Sequence, residues 1–196
     1  MEEIRVNRLP AITWRYLHVN DSPDQFEFPG NSASAVFSDK RYVSEGGTLP
    51  ADFCGASAET LAAAEKGQAY TVIIPENMEA ELTISITAEE DRPDFAGCFI
   101  FKLEKGAKLK LIWRLSGDRK HSVFATASSY ELMENAVLSV SYLETGLPAS
   151  SLYEQRCAVL GDDAKLDFVS AELGGEKVIV HSYGRLAGSR SEMRET

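Results

Sequence analysis

A single short pattern returns four times: EAELTIS, GAKLKLI, NAVLSVS and DAKLDFV carry Ala80, Ala107, Ala136 and Ala164, spaced 27, 29 and 28 residues apart. In the last three copies a leucine stands four residues before the alanine (Leu103, Leu132, Leu160). Gly106, Asn135 or Asp163 immediately precedes it. Gly, Asn and Asp tolerate the left-handed backbone that a tight corner between strands requires. A small alanine fits just past such a corner, and the A-x-L-x-apolar run then turns every second side chain inward. In KGAKLKLIWRL the inward set is Ala107, Leu109, Leu111, Trp113 and Leu115; Lys108, Lys110 and Arg114 face out, and Ile112 alone breaks the alternation.

A motif repeating every 28 residues or so, at strand period, predicts one turn of a β-solenoid, because each turn leaves an apolar face that only its neighbours cover. Helical repeats of similar length carry a 3.6-residue period, and an antiparallel meander spaces its strands by roughly 8 to 12 residues. Neither pattern fits. The solenoid is expected over residues 68–196. Residues 1–67 are expected to form a cap of extended segments rich in Pro and Gly, with one short helix in SAETLAAAEK, N-capped by Ser57 and stopped at Gly67. The array runs to SRSEMRET without a capping element, so an incomplete C-terminal end, or one covered by a partner, is expected, together with self-association.

Composition narrows the function classes. A net charge of −10 argues against nucleic acid as a main partner, since phosphate binding depends on Lys and Arg. No apolar run approaches the roughly 18 to 20 residues of a membrane helix, and the start MEEIRVNRLP lacks the apolar core of a secretory signal. A cytoplasmic protein is expected. Three scattered cysteines, Cys54, Cys98 and Cys157, form neither a disulfide framework nor a CxxC clamp. Nucleophile elbows, zinc-protease helices and Gly-rich phosphate loops are missing, and three histidines cannot supply a cupin iron site. A catalytic role is therefore not expected. The rival class is a carbohydrate-active or ligand-binding β-solenoid, which would need a groove of paired carboxylates and exposed aromatics. The 30 acids are scattered as on any solvent face, with Glu172 and Asp167 as nominal candidates among them, and Trp14, Trp113, Phe99 and Phe101 read as packing residues.

The segment LPAITWRYLHVND (Leu9 to Asp21) resembles the N-terminal signature of SufB/SufD-type proteins, components of bacterial iron–sulfur cluster assembly. The A-x-L turns and AELGGEKVIVHSYGRLAG (Ala171 to Gly188) are similar to that family's central β-helix. The resemblance implies a right-handed parallel β-helix that forms a hetero- or homodimer with a second SufB- or SufD-like subunit. It further implies union with a SufC-type ABC ATPase and a scaffold role for a transient Fe–S cluster in the full complex, with no cofactor resident in the chain itself. The family's C-terminal helical region is not in this sequence, nor is the N-terminal CxxC insertion of many SufB proteins; this favours a SufD-like or short SufB-like form. Thiolates are natural ligands of such clusters. The metal-ligating candidates are accordingly Cys157, off the inward set counted from Leu160, His181 in VIVHSYG, and Cys98. Each also reads as an ordinary strand residue. His18 has no metal-spaced neighbour, His121 falls at a charged turn, and Cys54 in PADFCGAS has no partner near it in sequence.

Overall fold

A computed structural model describes residues 2–6, 22–30, 33–53, 57–117, 121–145, 150–173 and 175–196. The chain is mostly strand with one short helix, and its parallel sheets stack as a β-solenoid of about four turns of ~29 residues. The cap contributes β1 (Glu2–Val6), β2 (Ser22–Phe26), β3 (Ala35–Phe37), β4 (Val43–Glu45) and α1 (Ala58–Glu65). The solenoid comprises β5 (Gln68–Ile74), β6 (Glu79–Ala88), β7 (Phe95–Leu103), β8 (Lys108–Gly117) and β9 (Ser122–Leu132). It continues with β10 (Val137–Thr145), β11 (Ser150–Leu160), β12 (Lys165–Leu173), β13 (Lys177–Leu186) and β14 (Glu192–Glu195).

Each turn holds two long strands rather than several short ones. The even strands stack as one sheet, β6-β8-β10-β12-β14, and the odd ones as a second, β5-β7-β9-β11-β13. All these pairs are parallel. At the N-terminal end β3 and β4 close both sheets by antiparallel pairing with β6 and β5.

The tight corners set the register. Asn77, Gly106, Asn135, Asp163 and Arg190 all have φ between 54° and 67° and occupy one level of successive turns. Each third residue of a four-residue turn is left-handed: Met78 N–H donates to the Pro75 carbonyl, Ala107 to Glu104, Ala136 to Met133 and Ala164 to Gly161. Three of these five positions were predicted from sequence. The first alanine was misaligned: Ala80 pairs with Leu109, and Met78 occupies the level of Ala107. The slip is two residues, so it preserves which face each side chain takes; the left-handed residue fixes the corner, and alanine is not required there.

The inward faces make one core, including Leu82, Ile84, Phe99, Phe101, Leu111, Trp113, Tyr130 and Phe168. Trp113 packs edge-on to Phe99 at 4.5 Å between centroids. The two sheets differ on their outer faces. The even sheet is open there, so β6, β8 and β10 alternate between buried and exposed. The odd sheet is covered, so β7, β9 and β11 are buried almost throughout. Its cover is α1, capped by Ser57, together with the antiparallel β1–β2 pair. Ile4, Phe26 and Ala63 pack on Val123, Ala125 and Tyr153, while Leu49 and Ala64 pack on Cys98, Ile100 and Ala127.

The lysines of KGAKLKLIWRL form rungs between turns. Lys108 Nζ lies 2.5 Å from Glu79 and Lys110 Nζ lies 3.2 Å from Glu81, on the neighbouring strand. These pairs are solvent-exposed and add little stability.

Candidate functional site

Along the solenoid the inward positions change character. The level of Gly97 continues as Thr126, Glu154 and Val180, and that of Phe99 as Ser128, Arg156 and Ser182. On the other sheet Leu115 is followed by Glu144 and Glu172. Strand alternation dictates this placement: counted back from the inward Leu160, positions 158, 156 and 154 must also face in. The core is thus apolar in the early turns and carries charge in the later ones.

Arg156 is the centre of that charge. It is 3% exposed, and its guanidinium stacks over Phe168 at 4.0 Å and Tyr142 at 5.1 Å. Nε and Nη2 donate to the two oxygens of Glu154 at 2.9 and 2.8 Å. Nη1 donates to Glu195 at 2.8 Å, and Nη2 reaches Glu172 at 3.3 Å. Burial alone would lower the pKa of Arg156, but the Glu154 carboxylate more than offsets this and holds the guanidinium above its ordinary value. Burial raises Tyr130 and Tyr142, and Glu154 adds to both shifts. Glu144 is only 1% exposed, and neither carboxylate oxygen has a hydrogen-bond partner of ordinary geometry. Burial pushes its pKa up, the Leu173 backbone N–H lowers it in part, and Glu172 raises it further.

The predicted metal ligands lie on the opposite side of the odd sheet, facing outward. Cys98 is buried beneath α1, and burial, with Glu65 nearby, pushes its thiol up to about 12. A thiol so held stays protonated near neutrality and makes a poor nucleophile or ligand. Cys157 lines a cavity of about 210 Å³ with Asp52, Val159, Tyr183 and Arg185. Asp52 and Arg185 form an ion pair of 3.0 Å in its wall. His181 pairs in register with Gln155 and Cys157 with Tyr183, so His181 and Cys157 are diagonal neighbours on one face. Beside His181, a cavity of about 10 Å³ bordered by Ser57, Thr60, Tyr153, Gln155 and Ile179 has room for about one water. Cys98 shares His181's level, but Ala127 and Gln155 intervene. The structure therefore places Cys157 near His181 and leaves Cys98 apart. Among the described residues no group of three or more His, Cys, Asp or Glu side chains is arranged to hold a metal ion.

His121 is exposed and reaches Glu27 at 3.1 Å. Trp14, His18 and Cys54 lie outside the described residues, as does Leu9–Asp21. Sequence reading missed Glu144, Glu154, Arg156 and Glu195 altogether and weighed Glu172 only as a groove carboxylate. The signal was present in the same alternation that set Cys157 outside the inward set. Among the described residues no helix is long and apolar enough to cross a membrane. Comparison with protein-family models, curated proteins and solved structures finds no match to this chain.

Proposed function

We propose that this chain is a cytoplasmic scaffold or accessory subunit of SUF-type iron–sulfur cluster assembly, SufD-like or a short SufB-like form, without catalysis of its own. It works with a SufC-type ATPase and a second SufB- or SufD-like subunit, and the nascent cluster is cargo rather than a resident group. The observation that carries this reading is the parallel β-solenoid itself, with one end closed by β3 and β4 and edge strands β13 and β14 at the other. Edge strands offer backbone donors and acceptors to a partner. The likeness of Leu9–Asp21 and Ala171–Gly188 to the family supports the same reading. Cys157, with His181 diagonal to it, is the better-placed candidate for a transient cluster contact; the protonated thiol of Cys98 is the weaker one.

Co-expression with a SufC-type ATPase and a SufB-type subunit tests the proposal. A stable ternary complex on size exclusion is expected, and elution of the chain without either partner overturns it. The carbohydrate-binding alternative is not favoured. The open outer face of the even sheet presents Lys108, Lys110, Ser139 and Ser141, with no aromatic side chain among its described residues.

A further inference from the structure

The interior charge of the late turns does not balance. Arg156 is the one guanidinium there, and four of its N–H donors go to three carboxylates, Glu154, Glu172 and Glu195; a fourth carboxylate, Glu144, stands in register with Glu172. Glu144 is left without a counter-charge while almost completely buried, with only the Leu173 backbone N–H to favour its ionised form. Its register neighbours are Leu115 on β8 and Glu172 on β12. Adjacent strands lie about 4.8 Å apart, so two carboxylates of equal register in a parallel pair are close enough to share a hydrogen.

The ionisable groups around Glu144 can be set out strand by strand. Its own strand adds Tyr142; β12 adds Glu172; β11 adds Glu154 and Arg156; β14 adds Glu195; and β9 adds Tyr130. The inward side chains of β8 are Leu109, Leu111, Trp113 and Leu115, and none ionises. No inward-facing cation other than Arg156 stands on these strands, so none remains to neutralise Glu144. A buried carboxylate without a counter-charge takes up a proton instead of remaining ionised.

We propose that Glu144 is protonated in the native fold and donates its O–H to the Glu172 carboxylate on the next strand, so that a proton locks the late turns of the solenoid and its loss loosens them. Burial and the Glu172 charge both favour the protonated form. The sign follows: a carboxyl that binds its proton more tightly when folded destabilises the fold as pH rises through its folded pKa, and costs nothing below its unfolded one. This inference does not rest on the assembly role proposed above.

The test combines a carboxyl ¹³C NMR titration of the full chain with thermal unfolding of the parent chain and Glu144→Gln between pH 5 and pH 9. The Glu144 resonance is expected to titrate above the ordinary range for glutamate. Glu144→Gln, which keeps the shape and a donor towards Glu172, is expected to melt higher than the parent at pH 8. The gain is about 3–5 °C for each tenfold tightening of proton binding, and it fades towards pH 5. Titration at or below the ordinary range overturns the proposal, as does a Gln variant that is never more stable than the parent at alkaline pH. If millimolar Ca²⁺ or Mg²⁺ stabilises the parent at fixed pH but not Glu144→Gln, a metal cation occupies the place of the proton, and the proposal also falls. Should Glu144→Gln not fold, the titration of the parent chain decides alone.

Discussion

Arg156 and Glu154 are 3% and 2% exposed, so neither charge survives the loss of its partner cheaply. Removing one member of a buried pair leaves the other desolvated, which costs about 3–5 kcal/mol, whereas replacing both with apolar groups is often near neutral. Arg156→Met is therefore expected to lower the urea midpoint sharply, and Glu154→Leu combined with Arg156→Met to recover the part due to Glu154, while the partly exposed Glu172 and Glu195 still lack their cation. A double variant as unstable as the single one would show that stacking on Phe168 and Tyr142, rather than charge, holds the site together. Cys98 makes a second expectation at this scale. With its pKa pushed up to about 12 beneath α1, it should resist alkylation in the native protein and react only after unfolding, as peptide mass spectrometry would show.

At the scale of the strand and the corner, the backbone decides what the side chains can do. Gly106 has φ +67°, and a Cβ there would meet the Asn77 side chain of the previous turn. Gly106→Ala is expected to cost about 1–2 kcal/mol by chemical denaturation, since left-handed backbone is unfavourable for residues with a Cβ. Gly106, Asn135 and Asp163 announced the corners in the sequence because their residue types favour that conformation. Arg190 gave no such signal, because its left-handed backbone is imposed by its place in the stack; its guanidinium reaches Asp163 one turn back. Strand alternation was equally legible in β8 and β10, whose outer faces meet solvent. It was hidden in β9, where SVFATASSYEL is buried on both faces and small residues accommodate the cover. The interior glutamates were missed for a related reason: alternation says which residues face inward, but hydropathy counts them as surface. Only the stack reveals that Glu144 and Glu172 are neighbours, since they stand a full turn apart in sequence.

Across the whole molecule, stability should fall from the cap towards β14. The early turns enclose Ile84, Phe99, Phe101 and Trp113, while Val169, Leu173, Tyr183 and Leu186 remain exposed in the late ones. Local opening follows such differences in buried apolar contact. Amide hydrogen exchange is expected to be slowest in β7, β8 and β9 and fastest in β13 and β14; uniform protection along the array would contradict this. The antiparallel strands β3 and β4 have one more consequence. They are three-residue strands that run against the sheets they flank, so the N-terminal end does not offer the long parallel edge that another solenoid turn would need. Head-to-tail stacking into a fibre requires both ends of an array to accept a parallel turn, and at this end the short antiparallel strands disfavour it.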